Sequence, residues 1–130
     1  MFDQLEIKVL PPGPRFAAQL RFWVNGEDVV EGAVEEGGRG PYAVAALPVG
    51  RPSPLRATSE PRRVVLGEPE CTGGCCWFLT VAVTRFGDIV QWSDWDLPYA
   101  PAPLPLEFHF DAVPYDVELA RASIRLWLCP

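Results

Sequence analysis

Three cysteines fall within six residues near the middle of the chain, in the sequence CTGGCC. Thiolate sulfur and imidazole nitrogen are the ligands that structural zinc sites use, four of them in tetrahedral geometry. The chain has a single histidine and a fourth cysteine at its penultimate position, and these two residues could complete such a set. The candidate zinc ligands are therefore Cys71, Cys75, Cys76, His109 and Cys129.

Two other interpretations of the cysteine cluster are open. The familiar C-x-x-C pair is absent, and adjacent residues such as Cys75 and Cys76 point to opposite faces of a strand. The segment is then a tight glycine-rich turn whose buried thiols pack as small apolar groups, which is the interpretation we favour. A reactive thiol is the third interpretation, and it would need His109 beside it as a base in a Cys-His dyad. We expect no cofactor, with zinc as the alternative.

Two tryptophans three residues apart stand among polar side chains in WSDWD, residues 92–96. Tryptophan offers a flat apolar surface with a polar handle, which is typical of sugar- and protein-binding faces. On a regular strand Trp92 and Trp95 point to opposite faces, so a shared surface requires a bend or bulge between them. The interpretation we favour is that Trp92 is a core residue and Trp95 packs under the Pro-rich crossover at 98–105. Asp94 and Asp96 lack a third ligand or a glycine-centred loop, and are predicted to be solvated charges.

The charge of the chain limits its partners. The formal net charge is −6, and acidic residues cluster between positions 27 and 36, with Glu31 and Glu35 among them. Nucleic acids and anionic membrane surfaces require a basic face, so neither is an expected partner. An acidic cluster of this kind is either a solvated helix face or a contact surface for a basic protein.

The length and composition indicate one globular domain over residues 1–130. The first nine residues, MFDQLEIKV, carry acidic side chains where a secretory signal would be basic and then apolar. No apolar run approaches the ~18 residues of a membrane span. These features predict a cytoplasmic protein, in which thiols stay reduced and the cysteines do not form a disulfide framework.

Alternating apolar and polar residues predict most of the secondary structure. Val29 and Val30 either continue a hairpin after the Asn25-Gly26 turn or begin a short helix towards Glu35, and we favour the helix. The segment 42–47 is a short helix or a buried strand. The predicted strands cover residues 4–10, 18–24, 62–67, the two arms of a hairpin with its turn at Gly87-Asp88, and 106–110.

A terminal amphipathic helix follows Asp111, which is predicted to be its N-cap. Its buried face is predicted from Tyr115, Leu119, Ala122 and Leu126, at spacings of four, three and four. We expect further residues to widen this face, namely Val117, Ala120, Ile124 and Trp127. The predicted fold class is α+β: an antiparallel sheet of five or six strands, with the C-terminal helix packed on one face and Pro/Gly-rich loops on the other.

Several segments together resemble a family of small uncharacterised actinobacterial proteins. The matching features are an N-G-x-D segment at 25–28, the Gly/Cys-rich turn, V-x-W at 90–92 and F-D-x-x-x-Y at 110–115. The resemblance covers most of the chain except residues 37–60. It implies a Cys pair at Cys71 and Cys76, while Pro69 stands where relatives often have a further Cys. The resemblance implies an origin and a fold, and it adds no chemistry.

The sequence leaves three functional classes open. The favoured one is a non-catalytic protein-interaction module of the immunity or regulatory type, monomeric or homodimeric, because no complete catalytic set is present and G-x-S-x-G is absent. The second is a small zinc protein and the third a thiol-dependent enzyme. The candidate partner-binding residues are Trp92, Trp95, Asp94, Asp96, Glu31 and Glu35.

Overall fold

The computed structural model describes residues 2–14, 17–30, 40–67, 78–97 and 107–128, without the side chains of the last two. The fold is α+β: three strands and a short helix are followed by four strands and a long helix. The elements with both ends in these ranges are β1 (Leu5–Leu10), β2 (Gln19–Val24), β3 (Glu27–Asp28), α1 (Ala43–Ala46), β4 (Arg62–Gly67), β5 (Leu79–Phe86), β6 (Ile89–Asp96), β7 (Phe108–Asp111) and α2 (Ala112–Leu128).

The alternating segments form strands with one buried face, as predicted. In β1, Ile7 is fully buried between two exposed neighbours, because the side chains of a strand alternate between its faces. At the turn after β2, Asn25 and Gly26 adopt positive φ angles of 54° and 85°. After this turn the chain combines the two predicted alternatives, a continued hairpin and a short helix. It makes a two-residue strand, β3, and turns helical at Val29.

The prediction of one sheet with five or six strands is wrong in its arrangement. The described strands form two antiparallel sheets, of order β1-β2-β3 and β4-β5-β6-β7. They meet at one isolated parallel bridge, Asp3 to Phe110, where the Asp3 N–H donates to the His109 carbonyl at 2.8 Å. Beyond this bridge the helix α2 occupies the outer edge of β1, so β7 cannot continue pairing there. Alternation of apolar and polar residues in a sequence indicates strands, but it does not indicate which strand edges pair.

A close backbone approach attaches α1 to the first sheet. The Leu20 N–H donates to the Pro41 carbonyl at 2.9 Å, and the Ala43 N–H donates to the Ala18 carbonyl at 2.8 Å. A Cβ atom at Gly40 would lie 1.8 Å from the Leu20 oxygen, so only glycine fits there. The short helix in 42–47 is confirmed, although it spans only four residues.

One core joins both sheets and α2. Tyr115, Leu119 and Ala122 of the helix are buried in it, as predicted. The predicted widening of this face is wrong, because Val117, Ala120 and Ile124 are exposed on the opposite side of the helix, and the side chain of Trp127 lies outside the described residues. Among the described residues, no helix is both long enough and apolar enough to cross a membrane.

Candidate functional site

A β-bulge brings the two tryptophans of WSDWD to the same side of β6. Thr80 pairs with Asp96 and Ala82 with Ser93, so three steps along β6 match two along β5. Asp94 takes a φ of 52°, the left-handed conformation that a bulge residue adopts and that Asp tolerates. The ring centroids of Trp92 and Trp95 are 6.2 Å apart in an edge-on contact. The sequence analysis required a bend or bulge for the two tryptophans to share a surface, and the structure contains the bulge.

The aromatic pair is mostly core rather than surface. Trp92 has no exposed surface and contacts Phe22, Phe110 and Tyr115 edge-on, with centroids 5.2–6.3 Å apart. Trp92 is therefore a core residue, as the favoured interpretation of the sequence predicted. Trp95 is half-buried and packs edge-on against Phe108 at 5.9 Å, which leaves part of its ring as surface.

The carboxylates of this segment are solvated, and one of them stabilises the bulge. The Arg63 guanidinium forms an ion pair with the Asp94 carboxylate and donates to the Asp94 carbonyl at 2.9 Å. A third bond runs from the same guanidinium to the Thr80 hydroxyl at 2.9 Å. Asp96 is exposed. Arg63 thus fixes the irregular backbone, and the two Asp side chains do not converge on a common site.

His109 takes part in polar contacts on the outer face of β7. Its Nε2 lies 3.3 Å from the Gln91 side-chain nitrogen and 3.5 Å from the Glu107 carboxylate, and its backbone N–H donates to the Asp3 carboxylate at 2.8 Å. Within the described part of the chain, no three His, Cys, Asp or Glu side chains are placed to hold a metal ion. The other predicted zinc ligands, Cys71, Cys75, Cys76 and Cys129, lie outside the described residues, as do Glu31 and Glu35.

The helix α2 is fixed to the edge of β1 by an ion pair. The Glu118 carboxylate accepts a hydrogen bond from the Ile7 N–H at 2.6 Å and two from Arg121, both at 2.6 Å. Arg121 also donates to the Ile7 carbonyl at 3.2 Å. The two backbone groups of Ile7 that point away from β2 are thereby satisfied, which protects an edge strand from further pairing.

These contacts shift the pKa values of both Glu118 and Arg121. Partial burial by itself raises the pKa of Glu118, but the hydrogen bonds from Arg121 and the Ile7 N–H outweigh burial, and the net pKa is lowered. The bond to Glu118 raises the pKa of Arg121. The pair therefore remains charged at neutral pH and acts as a structural clamp between helix and strand.

The opposite side of α2 carries an exposed apolar stripe. Val113 is 69% exposed, Val117 60% and Ile124 56%, and exposed Ala120 lies between them. At 100° per residue, these side chains lie about 150° around the helix axis from the buried ones. Their spacings of four, three and four match the seam of two packed helices. We call this set, Val113, Val117, Ala120 and Ile124, the outer stripe.

The outer stripe is the surface that the sequence analysis missed. Apolar residues on α2 were assigned to a single wide face, whereas a helix packed against one layer buries only part of its circumference. The signal was present in the sequence, because the two sets of apolar residues fall into separate stripes when plotted at the helical period.

Comparison of the chain with protein-family models, with curated proteins and with solved structures finds no match.

Proposed function

We propose that this protein is a non-catalytic protein-interaction module of the immunity or regulatory type, and that it docks a helix of a partner protein on the outer stripe. The observation that carries the proposal is the exposure of three large apolar side chains at heptad spacing on a helix whose other apolar face is already buried. Covering apolar surface of this kind stabilises a complex by roughly 25 cal/mol per Å² removed from water.

The contacts that attach α2 to the rest of the fold support the same role. Tyr115 anchors the helix in the core, and the Glu118–Arg121 clamp holds it against β1. A rigid helix presents its stripe without an ordering cost at the moment of binding, which favours affinity. The cytoplasm is the proposed location, on the sequence grounds given above, and the actinobacterial resemblance remains a proposal about origin.

Affinity purification with matched variants tests the proposal. Val117→Asp places a charge in the outer stripe, whereas Val65→Asp places the same charge at an exposed valine of β4, 39% exposed. We expect both variants to fold. A partner captured by the wild-type chain and by Val65→Asp should be depleted at least about tenfold with Val117→Asp, because a charge is costly to bury in an apolar contact.

Two results would contradict the proposal. One is that every captured protein is retained equally by Val117→Asp and Val65→Asp. The other is that Val117→Asp loses thermal stability relative to Val65→Asp, since the stripe would then be part of the fold rather than a free surface.

A further inference from the structure

A cavity of about 380 Å³ lies beside the outer stripe, between α2 and the loop that follows α1. Arg51 and Arg56 line it from the loop, and Asp116 and Ser123 line it from the helix. Apolar side chains complete the lining, namely Leu47, Pro48, Leu119 and Ala120. We call this cavity the arginine pocket.

The loop that carries the two arginines is fixed, although it is irregular. The Ser53 hydroxyl donates to the Ala46 carbonyl at 2.5 Å and accepts from the Leu55 N–H at 3.0 Å. The Arg56 N–H donates to the Ser53 carbonyl at 3.0 Å. These bonds hold the backbone between the two arginines in one conformation.

Leu55 anchors this loop to the core. Its side chain is fully buried, and its carbonyl accepts a hydrogen bond from the buried Tyr115 hydroxyl at 2.5 Å. The same hydroxyl accepts from the Trp92 indole N–H at 3.2 Å. Burial raises the pKa of Tyr115 above its usual range, so the hydroxyl stays protonated and remains a donor. Arg51 and Arg56 therefore extend from a preorganised backbone.

The lining of the pocket carries two basic side chains and one acidic side chain. Neither Arg51 nor Arg56 forms an ion pair with an acidic side chain of the described residues. Asp116, the acidic residue of the lining, is paired with Arg85 at 3.4 Å. A planar guanidinium matches a carboxylate through two parallel hydrogen bonds. The pocket thus has the chemistry of a carboxylate-binding site.

The pocket and the outer stripe are neighbours on the helix. Asp116 and Ser123 lie about 80° around the axis from the stripe, and Ala120 belongs to both. A side chain that flanks a helix seated on the stripe would therefore reach the pocket.

We propose that the arginine pocket binds the carboxylate of an Asp or Glu side chain that flanks the docked helix of the partner. This inference rests on the proposed function and specifies the partner chemistry, an apolar helical seam with an acidic residue beside it. Charge complementarity favours this partner over a second copy of this chain. Two copies packed stripe on stripe would place Arg51 and Arg56 beside the same arginines and Asp116, or beside the side that carries Arg121 and Arg125.

The test is a titration of the isolated protein with propionate, which reproduces the end of a Glu side chain, followed by NMR at constant ionic strength. We expect saturable shifts at the Arg51 and Arg56 side-chain N–H groups and at the Ser123 amide, with a Kd on the order of millimolar. Replacing Arg51→Gln and Arg56→Gln together should weaken binding about tenfold. Arg62→Gln, an exposed arginine on β4, is the matched control and should bind propionate as the wild type does.

Three results would overturn the assignment. They are the absence of saturable shifts in the pocket, equal weakening by Arg62→Gln, and tighter binding of inorganic phosphate than of propionate at the same residues. Failure here is distinguishable from failure of the proposed function. Val117→Asp should leave propionate binding unchanged, and the double glutamine variant leaves the outer stripe intact.

Discussion

Glu118 shows how one side chain can perform two structural tasks. It neutralises Arg121 and accepts the edge N–H of Ile7, so it joins helix and strand through charge and hydrogen bonding together. The periodicity of α2 predicted where Glu118 lies along the helix. The periodicity could not predict that β1 would present its edge there, because that contact depends on a residue more than one hundred positions away.

The lowered pKa of Glu118 makes a prediction about acid stability. A carboxyl whose folded pKa is depressed stabilises the fold above its unfolded value and loses that contribution as pH falls through the folded pKa. The free energy of unfolding of the wild type should therefore fall below pH 4.5, the ordinary value, more steeply than that of Glu118→Gln. Urea denaturation at a series of pH values measures this.

Glu60→Gln is the control for this experiment, because Glu60 is exposed and its side chain forms no ion pair with the described residues. It should follow the wild-type profile. Parallel profiles for the wild type and Glu118→Gln would contradict the lowered pKa of Glu118 in the folded state.

At the scale of elements, the β6 bulge decides which face Trp95 occupies. One extra residue reverses the alternation of a strand, so every side chain after Asp94 changes face relative to a regular strand. Arg63 supports the bulge through the carbonyl and carboxylate of Asp94. The aromatic contact between Trp92 and Trp95 therefore depends on a backbone conformation at a residue that itself lies outside the core.

Substitutions at Asp94 test the conformation separately from the ion pair. Asp94→Gly and Asp94→Val both remove the carboxylate, but only glycine adopts a φ of 52° without strain. We expect Asp94→Val to be less stable than Asp94→Gly by roughly 1–2 kcal/mol in urea unfolding. Equal stabilities, or a more stable valine variant, would contradict the role assigned to the bulge.

The sequence predicted the elements better than their assembly. All six predicted strands and the terminal helix are present, because alternation and helical spacing are local signals. The division into two sheets was not predicted, because edge pairing depends on contacts distant in the chain. The bulge was foreseen only as a condition for Trp92 and Trp95 to share a side. Asp tolerates the left-handed conformation, but the sequence does not indicate which Asp adopts it.

The predicted binding residues agree with the structure less well than the predicted strands and terminal helix do. Trp92 is a core residue, as the favoured interpretation had it, and the apolar stripe that we assign to binding lies on α2 rather than on β6. The helical period separates the two apolar stripes, but it does not show which stripe the core buries and which stays exposed. The arginine pocket was also beyond prediction, because Arg51 and Arg56 meet α2 only through the tertiary fold.

At the scale of the whole molecule, α2 organises the protein. One face closes the core, one side clamps the edge of β1, one side forms the arginine pocket, and the remaining side is the outer stripe. The first two sides of α2 contact other parts of the same chain. The last two place exposed apolar side chains next to two arginines that form no ion pair with the described residues, and this arrangement is the main support for the proposed docking of a partner helix.

Photo-crosslinking from the outer stripe tests that claim most directly. A benzophenone amino acid is placed at Val117 or, as the control, at the exposed Val65 of β4, and the protein is irradiated in lysate of the organism that encodes it. We predict a discrete adduct of defined mass from position 117, abolished when Ile124→Asp is added to the same chain, and no such adduct from position 65. The absence of any adduct at 117, or the same adduct from both positions, would contradict the account.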